Sequence, residues 1–428
     1  MPIKNSIKKH IACVALCSIL LTTPVAPMQT AYAKGPSDWF ESYDITDTEK
    51  MWEMLQKPIT ILDAPENSKI YLLDAPKGKK VKKDKLGGYI FAAQAGVKVL
   101  GKDEDGYTLI EGYDDHDRLL QGYVKTNLLK EVTPHEKFGI IIDKLTQKLY
   151  LFEEGKFVTS LNVSTGLQNP EQMYNETASG EYLISSWTGD FWSGNMLCRR
   201  AIRYNGGDLI HMVPALVRKD ETLNYSPFEP KLGSKASHGC IRVQMKKNAD
   251  GYNMDWLWDN LKKKTKVIVW DDDGRERPYP DDYTPVYYNP EGGKYYHSNA
   301  NCSSIKSRYL PLTQIYYGQL RDEEFKHLQP SPECAPPARE ETIDKINQDA
   351  LSEEDYKALM AKRQHIHELF DPNSVPAQTL EEHVHLDDTI PEEKVETTDI
   401  EKEETIEQKS IVYSDTHTDE HEVELDIP

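Results

Sequence analysis

Short apolar stretches, broken every few residues by Gly, Asp or Pro, fill most of this chain, and their period changes along it. From residue 58 to about 133 they run Thr60-Ile61-Leu62, Tyr71-Leu72-Leu73, Val97-Lys98-Val99-Leu100, Tyr107-Thr108-Leu109-Ile110 and Gly122-Tyr123-Val124. Short alternating runs of this kind predict a small barrel of short strands. Upstream, residues 34–57 hold Trp39, Phe40, Trp52, Met54 and Leu55 among acids, a pattern that fits one short packed helix. Residues 136–272 are again strand-rich, with Gly139 to Ile142, Leu149 to Phe152, Leu161 to Val163, Tyr182 to Ile184 and Val267 to Trp270. Glu153-Glu154-Gly155-Lys156 predicts a hairpin turn, and Met254, Leu257, Trp258 and Leu261 predict a helix over residues 248–261. Tyr287-Tyr288 and Tyr295-Tyr296 flank a turn at residues 289–293 and open a third unit over 286–340. Residues 352–370 predict an amphipathic helix with Ser352 as its N-cap and Tyr356, Leu359, Ile366 and Phe370 on one stripe.

The two ends read differently. Lys4, Lys8 and Lys9, an apolar run from Ile11 to Leu21 and Ala31-Tyr32-Ala33 make residues 1–33 a secretory signal. The run is short for a membrane span, and Cys13 and Cys17 are misplaced for lipid attachment. At the other end, residues 371–428 carry 19 Asp and Glu against 3 Lys, which is −16 of the chain's net −20. This tail predicts disorder, and His383, His385, His417 and His421 within it read as solvated rather than metal-holding. The remainder is near neutral, with no basic stripe for nucleic acid. With 428 residues, two or three domains are expected.

The chemistry concentrates at Ser237-His238-Gly239-Cys240-Ile241-Arg242. A thiol is a nucleophile as thiolate, and a nearby imidazole favours that form. Leu209-Ile210-His211 ends an apolar run 29 positions before Cys240. A Cys with a sequence-distant His is the minimal set for acyl transfer through a thioester. The competing reading is a buried or disulfide-bonded Cys beside a surface His, in an exported wall-binding or scaffold protein.

These residues resemble the signature of the L,D-transpeptidase catalytic domain family of bacterial cell-wall enzymes. Ile140-Ile141-Ile142-Asp143, Gln147 to Phe152, Val163-Ser164-Thr165-Gly166 and Ala178-Ser179-Gly180-Glu181-Tyr182 resemble its further landmarks in order. The resemblance implies a mainly β (α+β) chain with a β-sandwich-like catalytic domain over 136–272. It also implies a cysteine acyltransferase that forms 3→3 peptidoglycan cross-links and releases D-alanine, acting on donor and acceptor stem peptides and needing no cofactor. Cys240 then matches the nucleophile and His211 its base. Gly239 matches the small turn residue beside the oxyanion site, and Ser237, His238 and Arg242 match orienting positions. An L,D-carboxypeptidase, with water as acceptor, fits the same residues. The 25 residues between His211 and Ser237 exceed the usual spacing and predict a longer loop over the site; Met212 replaces a small residue. Cys198 reads as a buried thiol.

Residues 58–133, ending Gly122-Tyr123-Val124-Lys125, resemble bacterial SH3-like modules, which implies a spacer or a means of cell-wall association for a secreted, extracytoplasmic enzyme. Residues 286–340 resemble small exported modules with H-x4-C followed by C-x-x-C, here His297, Cys302 and Cys334. Ser331 stands where the second pair would begin, so one metal ligand is missing. A disulfide between Cys302 and Cys334 is therefore expected in place of metal.

Overall fold

The computed structural model describes residues 38–374, apart from 82–86, 103–104, 169–171, 303, 332–333 and 335. The expected signal segment, with Cys13 and Cys17, and the acidic tail from residue 375 onward, with its four histidines, lie outside the described residues. Among the described residues no helix is long and apolar enough to cross a membrane. The chain is mainly β, with few helices.

Helix α1 (Thr48–Gln56) starts at Asp47, whose side chain accepts from the Lys50 N–H. Its Met51, Met54 and Leu55 are buried with Trp39 and Phe40 against Ile141, Phe152, Ile268 and Trp270. The strands that follow are β1 (Ile59–Leu62), β2 (Lys69–Tyr71), β3 (Tyr89–Phe91), β4 (Gly96–Lys102), β5 (Tyr107–Tyr113), β6 (Leu119–Lys125) and β7 (Leu129–Val132). Five of them form an antiparallel sheet in the order β6-β5-β4-β1-β7, while β2 pairs with β3. Burial that alternates along β6 and along β5 up to Gly112 puts Ile110, Leu120 and Val124 into the core.

A second, eleven-stranded sheet follows. It contains β8 (Phe138–Asp143), β9 (Lys148–Glu153), β10 (Lys156–Ser164), β11 (Gly180–Leu183), β12 (Ser186–Ser193), β13 (Met196–Asn205), β14 (Asp208–Met212), β15 (Ala215–Val217), β16 (Leu223–Asn224), β17 (Ile241–Val243) and β18 (Lys266–Trp270). The order is β11-β18-β8-β9-β10-β17-β14-β13-β15-β16, with β12 on β13. β8 and β18 are buried at every position, as strands covered on both faces must be. One cover is α1. A Cβ on Gly139 would meet Leu55 Cδ1 at 2.7 Å, so the helix lies directly on bare β8 backbone.

Helix α2 is Met254–Asn260, shorter than the 248–261 expected. Asn248 accepts from the Asp250 and Tyr252 N–H groups, Gly251 has φ +87°, and Asn253 caps the helix instead. The long insertion after His211 is not a plain loop: β15 and β16 form a hairpin that extends the sheet edge.

The third unit holds β19 (Pro285–Tyr288), β20 (Tyr295–His297), β21 (Thr313–Tyr316) and β22 (Gln329–Pro330) in the order β21-β19-β20-β22. It continues past residue 340 into α3 (Glu340–Ala350) and α4 (Glu353–Leu369). Arg363, in α4, pairs with Asp282 at 3.2 Å and Glu340 at 3.0 Å, which joins the helix to the sheet unit. Ser352 caps α4 as expected. The expected Cys302–Cys334 disulfide is not formed; both are free thiols, and each has taken a different partner.

Candidate active site

Strand β17 places the signature. It inserts between β10 and β14, antiparallel to the first and parallel to the second, with His211 paired to Arg242 and Ile210 to Ile241. Paired residues in a parallel ladder share a face, and so do residues two apart. His211 and Arg242 thus project on one side of adjacent strands, and Cys240 directly precedes β17, two residues before Arg242.

His211 is 2% exposed. Its ring edge meets Phe191 at 5.5 Å, and Nδ1 lies 2.7 Å from the Met212 carbonyl oxygen. That carbonyl can only accept, so Nδ1 carries the proton and Nε2 is left with the lone pair. Burial, opposed by the Met212 carbonyl and helped by Arg242, lowers the imidazole to about 4. The base is neutral at physiological pH. Cys240 is half-buried, and its thiol is pushed up to about 12, first by burial and then by the Asp208 charge. At rest the pair is therefore a neutral thiol and a neutral imidazole, not a thiolate with imidazolium.

The turn before the thiol is held from several sides. Ser237 is fully buried; its N–H donates to Thr165 O at 2.9 Å and its Oγ donates to Cys240 O at 2.5 Å. Arg242 Nη1 donates to Ala236 O at 2.8 Å and its guanidinium lies over the Phe228 ring at 5.9 Å. The Gly239 carbonyl accepts from Thr177 Oγ1 at 2.6 Å, which itself accepts from the Gly166 N–H at 2.8 Å. His238, between two buried residues, is exposed.

Three groups escaped the sequence reading. Thr177 carries no motif of its own. Asp208 heads β14 and presents its carboxyl to Gly239; burial, then Asp115, raises it to about 8. Lys144 is 1% exposed among Asp117, Glu176 at 3.1 Å and Asp272 at 3.7 Å, and Lys235 joins the last two. This cluster ties the β5–β6 hairpin to the segment bearing Thr177 and to the signature loop. Cys198 is buried at 3% exposure, and burial raises its thiol to about 11.

Comparisons with known proteins bear on this same region. Over 129 residues the chain is 28% identical to a protein of Bacillus subtilis (strain 168) described as a putative L,D-transpeptidase, covering 29% of this chain and 60% of that one. The chain thus spans about three-fifths of the length of that curated relative. Among solved structures, an L,D-transpeptidase from Stackebrandtia nassauensis aligns at 21% identity over 32% of this chain and 58% of that chain, with a TM-score of 0.23. Another, from Xylanimonas cellulosilytica, aligns at 23% identity over 32% and 61%, with a TM-score of 0.22. From residue 137 to residue 269, the stretch that contains both His211 and Cys240, the chain matches the family model of the L,D-transpeptidase catalytic domain.

Proposed function

We propose that this protein is an exported L,D-transpeptidase that forms 3→3 cross-links between peptidoglycan stem peptides through a thioester on Cys240. The observation that supports the reading is the β14–β17 pairing, which sets His211 beside Arg242, two residues after Cys240. As Sγ attacks the carbonyl between the third and fourth residues of the donor stem, His211 Nε2 takes the thiol proton. The oxyanion is received by backbone N–H groups around Gly239 and Cys240, each such donor contributing about 3 kcal/mol. Collapse breaks the C–N bond, His211 returns the proton to the departing D-alanine amine, and the acyl group stays on sulfur. The side-chain amine of a second stem then attacks the thioester while His211 removes its proton, and the thiol is regenerated. Ser237 and Arg242 hold the turn in shape throughout.

The reading of residues 1–33 as a secretory signal supports an enzyme that works outside the membrane, at the wall. The sheet over residues 58–133 is read as an SH3-like module that aids wall association. Incubation of the purified protein with tetrapeptide muropeptides tests the reaction. A cross-linked dimer that has lost one D-alanine is expected. A shortened tripeptide alone would mean that water is the acceptor, and unchanged muropeptides would leave a wall-binding protein with an inert thiol.

A further inference from the structure

In the third unit, far from Cys240 in sequence, three soft donors converge. β20 ends at His297, and its parallel pairing with β22 sets Tyr296 beside Pro330, so that Cys334 returns to the histidine shortly afterwards. Cys302 arrives from a turn whose N–H donates to Asn299 O. Ligand atoms of His297, Cys302 and Cys334 all lie within 4.8 Å of one another. His297 Nδ1 is 3.5 Å from Cys334 Sγ. A tetrahedral zinc site with its usual bond lengths separates nitrogen from sulfur by roughly 3.6 Å. A hydrogen bond would account for that pair alone; the second sulfur at the same point asks for a cation.

The surroundings suit thiolates. The Ser298 N–H points at Cys334 Sγ from 3.4 Å, and Ser304 Oγ lies 3.1 Å from Cys302 Sγ. Donors of this kind fix ligating sulfurs and share their negative charge. Both sulfurs also border a cavity of about 580 Å³, whose far wall includes Glu229, Lys247 and Asn248 of the preceding domain.

We infer that His297, Cys302 and Cys334 form a binding site for a thiophilic divalent cation, zinc by ligand chemistry, which ties the third unit together where a disulfide was expected. Two thiolates and a neutral imidazole among the described residues match the donor types zinc takes, and binding releases the two thiol protons. Ser331, one residue past the Pro330 that pairs with Tyr296, is the position from which a fourth protein ligand would complete the set.

The test uses the full chain, reduced and stripped with chelator, then titrated with cobalt(II) alone as a spectroscopic stand-in for zinc. One cobalt per chain with thiolate-to-metal charge-transfer absorption is expected, displaced by zinc. Cys302→Ser and His297→Ala should each weaken binding by about 100-fold or more, beyond what loss of a ligand's hydrogen-bonding neighbour costs. Cys240→Ser should leave the absorption intact. Ser331→Cys, which keeps His297, Cys302 and Cys334 and the Ser331 N–H bond to Tyr296 O, should tighten binding at least about tenfold, so the proposal stays testable if the deletion variants fold poorly. Absence of the charge-transfer band in the reduced protein, a band that survives Cys302→Ser, or a Cys302–Cys334 disulfide in protein recovered from the exported fraction would overturn it.

Discussion

Asp208 Oδ1 lies 2.3 Å from the point where a Cβ on residue 239 would sit, and Gly239 itself has φ +109°. Two independent constraints therefore demand glycine immediately before the nucleophile: a backbone conformation that side-chain-bearing residues rarely adopt, and a carboxyl occupying the space.

Gly239→Ala is expected to cost about 1–3 kcal/mol from the backbone alone and to lower transpeptidation by displacing the Thr177 bond to the Gly239 carbonyl. Adding Asp208→Ala should recover only part of the stability, because it clears the space and leaves the φ. Denaturant unfolding of the two single variants and the double variant measures both contributions. Complete recovery in the double variant would show that the backbone is unstrained.

The Cys240 thiol should react slowly with a neutral alkylating reagent at pH 7, its rate rising about tenfold per pH unit to pH 10 without a plateau, because burial holds the thiol near 12. Asp208, itself raised to about 8, adds negative charge beside the thiol only once it ionises. Asp208→Asn should therefore speed alkylation above pH 8 and change little below it. A plateau beginning near pH 6–7 would mean a resting thiolate–imidazolium pair and contradict the site described above.

His211 is held neutral by burial, falling from an ordinary 6.5 to about 4. Between those values the unfolded chain binds a proton that the folded chain does not, so stability falls as pH drops through that window and is fully present above it. The shift corresponds to about 3 kcal/mol. His211→Gln should shrink the stability difference between pH 7 and pH 4 by that order, read by chemical denaturation, and should abolish acyl transfer.

Replacing Lys144 with Met would leave Asp117 buried without its cation, while Glu176 and Asp272 keep Lys235. Breaking a buried pair from one side costs about 3–5 kcal/mol, and a drop in melting temperature measures it. Since the same cluster steadies the segment bearing Thr177, whose carbonyl accepts from Lys144 Nζ at 3.2 Å, turnover should fall as well.

Much of the site was legible because its residues are consecutive in sequence: residues 237–242 form one turn and the start of one strand. Legible too were Ser352 as a cap and the hairpin at residues 153–156, where Glu154 and Gly155 take positive φ. The rest depended on contacts between distant segments. Asp208, Thr177 and Lys144 are common polar residues whose roles come from what folds onto them. The helix expected over 248–261 starts only at Met254 because Asn248 bonds local N–H groups, which hydrophobic spacing does not register. Helix α3 escaped notice since its buried face, Ile343, Asn347 and Ala350, is half polar or small. The insertion after His211 reads as polar loop by composition, yet it pairs as a two-stranded edge, with Tyr225 and Phe228 packed against the core.

The docking of α1 has a practical corollary. Lys266 Nζ reaches back from β18 to the carbonyls of Met54 at 2.8 Å and Lys57 at 3.0 Å, while Leu55 fills the bare patch above Gly139. A polypeptide trimmed to begin at residue 137 would strip this lid from Ile141, Phe152, Ile268 and Trp270 and leave the Lys266 ammonium with Glu181, at 2.9 Å, but without the two carbonyls it also bonds. A polypeptide meant to keep this sheet covered is therefore expected to need α1, with Trp39 and Phe40, as well as the stretch from residue 137 to residue 269.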